Sequence, residues 1–294
     1  MSFSAPAARL CGLSDSANQT VRPMGINRLI MSWFGELADQ RVFESCASVL
    51  ELGPQDTFFP EEVMIEAAAK RLGQEIGEET ARRAFNPALA FRERRSAFYE
   101  VFGLRQYRSV DTYDERADYH MDLNHANGPP EPFDVVVDCG TTEHVFNAGN
   151  VFVFTHNALN LGGVSLRVLP TYGDNTHGFY NIHPTVYFDI ARENGYEILD
   201  FRYIENMIHR PASRGVKSLM PTDEIAAGLT SFAGCAALQA KITRSFLNTI
   251  HQSEWEDRTH QAHSAVDYCF VAMRKLSDKP FKYPGQGVYL TEFP

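Results

Sequence analysis

Apolar side chains recur at helical spacing in the segment INRLIMSWFGELADQRVF, residues 26–43. Six of them share one face of a 3.6-residue repeat: Ile26, Leu29, Ile30, Trp33, Phe34 and Leu37. The pattern predicts an amphipathic helix. A helix packed on its own domain is the favoured interpretation, and a lid over a substrate is the alternative. The preceding residues 1–23, rich in Ser, Ala and Pro, are typical of a loose arm.

Short apolar runs predict the strands of a sheet, and helical patterns separate them. The strand-like runs are 48–53, 107–111, 133–138, 164–169, 196–203 and 265–274. The helical stretches are 60–104, 147–160, 185–194 and 222–262, and Gly162 and Gly163 are predicted to end the second of these. The run FDVVVD at 133–138 suits a strand buried on both faces. This alternation favours an α/β fold with a doubly wound parallel sheet.

The length and composition are those of a globular protein. The chain has 294 residues, of which 44% are hydrophobic and 22% charged, enough for a large core. We divide it into an N-terminal arm and helix (1–46), a core with a helical insertion near 57–104 (47–204), a helical cap or oligomerisation insertion (205–264), and a final strand and tail (265–294). A homodimer is compatible with the third part.

The net charge and the cysteines limit the kinds of partner and the compartment that we expect for the protein. Lys and Arg number 27 against 37 Asp and Glu, a formal net charge of −10, which makes nucleic acid an unlikely partner. Neither a membrane span nor a secretory signal is evident. The five cysteines are scattered without a CxxC pair, which argues against a disulfide framework or a thiolate zinc site. A cytoplasmic location is expected.

Chemistry is expected at the carboxyl ends of the strands, where ligands bind in open α/β sheets. The first strand ends in Gly53, the second in Asp111, and Asp122 follows in YHMDLN. The strand FDVVVD runs into CGTTEHV at 139–145. Taken singly, each residue is explained by a turn, a helix cap or a solvated acid. The ordered series of glycine, acid, acid and Gly-x-x-Glu-His is more specific.

The series resembles the class I S-adenosylmethionine-dependent methyltransferases. The segments that carry the resemblance are VLELG (49–53), VD (110–111), DLN (122–124), FDVVVDCGTTEHV (133–145), NLGGV (160–164) and residues 177–199. Together they cover roughly 47–204. The resemblance implies a Rossmann-like sheet of seven strands, with the last strand antiparallel between the fifth and sixth. AVDYCFVAMR at 265–274 would supply that last strand.

The resemblance also implies S-adenosylmethionine as the cofactor and assigns the residues around it. Glu51, Gly53 and Pro54 would hold the methionine portion and Asp111 the ribose. Further residues implied along the adenine and the rest of the cofactor are Asp122, Leu123, Asp138, Gly140 and Thr141. Glu143 and Tyr180 would border the substrate.

The chain departs from the family pattern in its first motif. ELGPQD has one glycine, where the family usually has two or three. Glu51 and Asp111 are also 60 positions apart, which a helical insertion would explain. Asp114 is an alternative ribose acid if the second strand ends later.

The implied reaction is methyl transfer to a small-molecule acceptor, such as a sugar or specialised metabolite. An oxygen acceptor, slightly favoured, needs a general base, and the candidates are His144, His177 and His183. Asp174, His177 and Asp189 fit no recognised metal-ligand spacing, so no metal is predicted. A dehydrogenase is disfavoured because ELGPQD lacks the GxGxxG turn. A non-catalytic binding or assembly module remains the alternative, favoured by the single glycine.

Overall fold

The computed structural model describes residues 25–173, 177–204 and 267–287. The strands are β1 (Ile26–Asn27), β2 (Ser48–Leu52), β3 (Thr57–Phe58), β4 (Gln106–Asp111), β5 (Tyr119–His120), β6 (Phe133–Cys139), β7 (Leu159–Tyr172), β8 (Tyr196–Ile204) and β9 (Asp267–Lys275). The helices are α1 (Arg28–Asp39), α2 (Glu61–Leu72), α3 (Gln74–Phe85), α4 (Phe91–Glu100), α5 (Ala148–Ala158) and α6 (Thr185–Asn194). A 3₁₀ turn, Thr142–His144, follows β6.

Seven strands form one sheet in the order β5-β4-β2-β6-β7-β9-β8. Strands β5, β4, β2, β6 and β7 pair in parallel, and β9 is antiparallel to both of its neighbours, β7 and β8. The predicted Rossmann-like α/β sheet is confirmed, including the antiparallel last strand between the fifth and sixth. β1 and β3 form a separate two-stranded pair.

Both faces of the sheet are covered, as a doubly wound fold requires. Successive residues of a strand point to opposite faces. In β9, Phe270 packs in the cluster that contains residues of α1, α2 and α4, whereas Val271 packs in the cluster of α6. A third cluster joins β2, β4 and β6 to α5. The sheet is therefore buried between two helical layers.

Helix α1 belongs to the core. The Trp33 ring lies 5.2 Å from the Phe270 ring, centroid to centroid, and the Trp33 Nε1–H donates to Asp200 at 2.7 Å. The helix begins at Arg28 rather than Ile26, because Ile26 and Asn27 pair with β3 and the Asn27 side chain accepts from the first backbone amides. The apolar face of α1 is buried against the sheet, which favours the packed-helix interpretation over the lid.

Three helices, α2 to α4, separate β2 from β4 and account for the long spacing between the first two strand ends. Helices α2 and α3 approach closely at Gly77, where a Cβ would lie 2.5 Å from backbone atoms of Ala68 and Ala69. Glycine at this position is therefore required by packing.

The prediction that Gly162 and Gly163 end a helix is wrong. Helix α5 ends at Ala158, and both glycines lie within β7. The register between β6 and β7 shifts here, since Phe133 pairs with Leu159 but Val135 pairs with Val164. A Cβ on Gly163 would lie 2.9 Å from the Asp134 carbonyl oxygen. The glycines therefore accommodate a bulge, which can mimic a helix stop in the sequence.

Three predicted segments lie wholly outside the described residues: the arm at 1–23, the helical stretch at 222–262, and the cap at 205–264. Within the described ranges, no helix is both long and apolar enough to span a membrane.

Candidate active site

Gly53, Asp111 and Thr141 meet where β2, β4 and β6 end. The chain runs from β2 outward to β4 and then returns to β6 on the other side of β2, so a topological switch point lies between β2 and β6. Gly53 has a φ of +69°, and a Cβ there would lie 2.9 Å from Thr141 Oγ1 and 3.7 Å from Asp111 Oδ2. Glycine thus leaves a small space between the two side chains.

Asp111 has one oxygen fixed and one available. Its Oδ1 accepts from the backbone amides of Tyr113 at 2.7 Å and Asp114 at 2.9 Å. No hydrogen bond from the described residues reaches its Oδ2, which faces the Gly53 turn. The carboxylate is therefore held in place with an acceptor oxygen left for a ligand.

Asp114, the alternative acid, is engaged by Arg116. The Arg116 guanidinium donates to both Asp114 oxygens, at distances down to 2.7 Å, and lowers the pKa of Asp114. The same guanidinium donates to Asp56 at 2.8 Å and lies 4.4 Å from the centre of the Phe91 ring. Arg116 thereby ties the loop after β2 to the loop after β4. Arg116 could not be predicted as a site residue, since an arginine in YDERAD looks like an ordinary surface charge.

Glu51 is fully buried and bonded within the protein. Its Oε1 accepts from Arg95 at 2.7 Å and from the Tyr99 hydroxyl at 2.6 Å. Its Oε2 accepts from the Tyr107 hydroxyl at 2.8 Å and from the Gln55 amide at 3.1 Å. With both oxygens bonded within the protein, Glu51 holds the loop after β2 from beneath, and its expected contact with a cofactor stays a prediction.

The burial of this cluster shifts the pKa of its members. Burial, reinforced by the Glu51 carboxylate, raises the pKa of Tyr99 and of Tyr107 well above the usual value. Burial opposes the charge of Arg95, but the attraction of Glu51 prevails and raises the pKa of Arg95. Both phenols therefore remain donors to a charged ion pair.

The single-glycine loop is closed by Gln55. The Gln55 side chain is buried, and its Nε2 donates to the carbonyl oxygens of Leu52 and Gly53, each at 3.1 Å. Pro54 is also buried, and its carbonyl oxygen lies 3.5 Å from Arg116 Nη2. An amide side chain thus stabilises the turn that contains only one glycine.

Asp138 supports the turn after β6. Its Oδ1 accepts from the Thr141 amide at 3.1 Å, and its Oδ2 accepts from Arg167 at 2.7 Å in a pair that is 1% exposed on each side. Both Asp138 oxygens are therefore engaged within the protein, and the expected contact of Asp138 with a cofactor stays a prediction. Gly140 has a φ of +91° at this turn. Arg167 was also missed, although a lone arginine in the apolar strand VSLRVLP does signal a buried partner.

Asp122 and Leu123 follow β5, at the edge of the sheet. The exposed Asp122 carboxylate accepts from the Asn124 amide at 2.9 Å and contacts His125 at 3.0 Å, and these hydrogen bonds lower its pKa. Leu123 is buried in the cluster that contains Leu52. The pair lies beside the end of β4, and its contact with an adenine stays a prediction.

On the other side of Thr141, Glu143, His144 and His177 converge. The Nε2 atoms of His144 and His177 are 3.0 Å apart, and one ligand atom from each of the three residues lies within 4.8 Å of the others. The Phe179 amide donates to the Glu143 carbonyl oxygen at 2.7 Å, and the Tyr180 hydroxyl donates to the Phe146 carbonyl oxygen at 2.8 Å. These bonds dock the loop that contains His177 onto the segment after β6.

His183 does not join this cluster. Its Nδ1 lies 2.9 Å from Thr185 Oγ1, at the start of α6. His183 and Tyr180 line a largely apolar cavity of about 380 Å³ together with Phe152 and Phe281. Of the three candidate bases, two are therefore adjacent, and the third faces a different space.

Only His177 and Asp189 of the metal trio considered from the sequence lie within the described residues. Asp189 accepts from Arg192 at 2.7 Å and from the Gly287 amide at 3.0 Å, and Asp174 lies outside the described residues. His177 is instead grouped with Glu143 and His144.

Comparison with known proteins finds similarity in structure alone. No family model matches the chain, and no curated protein matches its sequence. A 1,6-didemethyltoxoflavin-N1-methyltransferase from Burkholderia thailandensis is 12% identical, with a TM-score of 0.39, over 84% of this chain and 78% of that one. An O-methyltransferase from a trans-AT PKS multienzyme of Brevibacillus brevis is 14% identical, with a TM-score of 0.36, over 83% of this chain and 71% of that one.

A third similar structure has a different activity in its name. The [4+2]-cyclase SpnF is 13% identical, with a TM-score of 0.36, over 82% of this chain and 80% of that one. These likenesses concern the fold alone. The strand order and the antiparallel β9 are those of the class I S-adenosylmethionine-dependent methyltransferase fold, as the resemblance in sequence implies.

Proposed function

We propose that the protein is an S-adenosylmethionine-dependent methyltransferase that acts on a small molecule. The observation that carries the proposal is the pairing of Gly53 with Asp111: a backbone turn without a Cβ faces a carboxylate whose Oδ2 accepts no hydrogen bond from the described residues. A carboxylate at this strand end can accept hydrogen bonds from both hydroxyls of a ribose.

The other residues fit the cofactor in more limited roles. The turn that begins at the exposed Asp122 would lie against the adenine at the edge beside β4, and the buried Leu123 anchors this turn in the core. Glu51 and Asp138 support the two turns instead of touching the ligand. Asp111 is preferred to Asp114 as the ribose acid for two reasons. Strand β4 ends at Asp111, and the Asp114 carboxylate already accepts hydrogen bonds from Arg116.

When bound, S-adenosylmethionine supplies a methyl group on a sulfonium centre, which a nucleophile on the acceptor displaces. The protein's task is then to align the acceptor and exclude water, which can supply roughly 7–11 kcal/mol. For an oxygen acceptor, a base must also take the hydroxyl proton. The candidates are His144, after β6, and His177 and His183, in the loop between β7 and α6, and this group of histidines is the reason to favour oxygen slightly. A sugar or a specialised metabolite would suit this acceptor side.

A non-catalytic binding module is the second candidate. The observation that favours it is Gln55, whose side chain fills part of the loop where the family usually has further glycines. In this alternative the fold is retained, but the loop no longer admits the cofactor.

Calorimetric titration distinguishes the two. Micromolar binding of S-adenosylmethionine and S-adenosylhomocysteine, with no binding of NAD, would support the methyltransferase. Absence of binding by both sulfur compounds would contradict it and favour the module. The titration can be made on the protein without an acceptor, because backbone amides already hold the Asp111 carboxylate in place.

A further inference from the structure

The cluster of Glu143, His144 and His177 combines two imidazoles with a buried carboxylate at the end of β6. Glu143 is fully buried, His144 is exposed and His177 is partly exposed, so the group opens to solvent on one side. Two nitrogen donors and one carboxylate oxygen are a donor set typical of zinc and of other divalent transition metals.

We propose that Glu143, His144 and His177 bind one divalent transition-metal ion. The distance between the two Nε2 atoms is 3.0 Å. Two nitrogens at the usual bond length of about 2.0–2.1 Å from one ion are about 2.8–3.4 Å apart for angles between 90° and 109°. The imidazoles therefore need little movement to share an ion, and a Glu143 carboxylate oxygen lies within 4.8 Å of them.

The backbone holds the two ligand segments together. His177 is 33 positions beyond His144, and the Phe179 amide joins its loop to the Glu143 carbonyl oxygen at 2.7 Å. Gly178 permits this approach, since a Cβ there would lie 2.8 Å from the same oxygen and 2.9 Å from Glu143 Cγ. Donor atoms on two pinned segments are preorganised, which reduces the conformational entropy lost on binding.

Three protein ligands leave at least one position on the ion for water or a substrate oxygen. The open side of the cluster is that of His144. A further role, in which the ion holds an acceptor oxygen, rests on the proposed methyl transfer. In that case His144 and His177 are ligands, and of the three candidate bases only His183 could take a proton.

Titration of the untagged protein with Zn²⁺ tests the site without any cofactor. Wild-type protein should bind one equivalent, and H144A and H177A should each lose at least tenfold in affinity. H120A is the matched control, because His120 is an exposed histidine at the end of β5 outside the cluster. It should bind as wild type does. E143Q should also lose affinity, with its thermal unfolding checked because Glu143 is buried.

The outcomes are distinct from those of the cofactor test. Unchanged zinc affinity in H144A and H177A, several weak equivalents lost equally in H120A, or binding of Mg²⁺ in preference to Zn²⁺ would overturn the site. The His144–His177 contact would then be a simple hydrogen bond between imidazoles. S-adenosylhomocysteine affinity should be equal in wild type and H144A, because His144 lies outside the proposed cofactor site. A failed zinc titration would therefore leave the proposed function intact, and a failed S-adenosylhomocysteine titration would leave the proposed zinc site intact.

Discussion

The hydroxyl of Thr141 donates a 2.6 Å hydrogen bond to the carbonyl oxygen of Leu52. This bond joins the turn after β6 to the end of β2 across the switch point of the sheet. It also places Thr141 Oγ1 beside Gly53, where a Cβ would lie only 2.9 Å away. The candidate cofactor site is therefore already assembled from two strand ends before any ligand arrives.

Replacing Gly53 with alanine tests the need for this space. The φ of +69° strains any residue with a Cβ, so G53A should lose about 1–3 kcal/mol of unfolding free energy. The methyl group would also press on Thr141, and the affinity for S-adenosylhomocysteine should fall. Urea unfolding and calorimetry measure the two effects.

Gly103 provides the control for that substitution. Its φ is +85°, but a Cβ there meets no atom within 4 Å. G103A should therefore lose comparable stability and keep its affinity. Equal losses of affinity in both variants would mean that strain, rather than the space at Gly53, determines binding.

Replacing Glu51 with glutamine should destabilise the fold strongly. Removal of one partner of a buried ion pair leaves the other charge uncompensated, at a cost of about 3–5 kcal/mol, and Arg95 would be that charge. D39N, which weakens exposed pairs with Lys70 and Arg71, should cost at most about 1 kcal/mol. Chemical denaturation of both variants checks the contrast. An E51Q variant that is as stable as wild type but has lost cofactor affinity would restore direct contact for Glu51.

The buried His156 should make the protein sensitive to mild acid. Its Nδ1 lies 2.9 Å from the Tyr196 hydroxyl and its Nε2 lies 2.8 Å from the Lys279 carbonyl oxygen. Burial, and then the nearby Lys275 ammonium, lower the pKa of His156. The unfolded chain therefore binds more protons than the folded chain just below the ordinary histidine pKa of about 6.5, and stability falls as the pH falls through that range.

Thermal unfolding at pH 7.5 and pH 5.5 measures this effect. The melting temperature of wild type should fall by more than that of H156Q, whose side chain stays neutral. An identical fall in both proteins would assign the acid sensitivity to other groups.

The fold could be predicted from the sequence because its strands are apolar runs with clear ends. The pattern locates β2, β4 and β6, and with them Gly53 and Asp111. The β6–β7 bulge could not be predicted, since a glycine pair reads equally well as a helix stop. Whether the glycines end a helix or lie in a strand depends on how β7 pairs with β6, and the local sequence does not determine that pairing.

The side chains that bond to Glu51 could not be predicted from the sequence for a different reason. Arg95 and Tyr99 lie more than 40 positions from Glu51, on a helix whose charged pattern looks like a solvated face. The convergence of His144 and His177 likewise depends on the docking of a loop. Such contacts depend on tertiary structure, which residue types and spacing do not encode locally.

The most direct test of the central claim is the dissociation constant of S-adenosylhomocysteine for wild type, D111N and D114N. Asparagine at 111 keeps an acceptor for the Tyr113 and Asp114 amides but removes the carboxylate oxygen that faces Gly53. Hydrogen bonds to a charged group contribute about 1.5–3 kcal/mol, so D111N should weaken binding about 10- to 150-fold. D114N should bind within a few-fold of wild type. Micromolar wild-type binding that D111N leaves unchanged, or that D114N abolishes, would contradict the account.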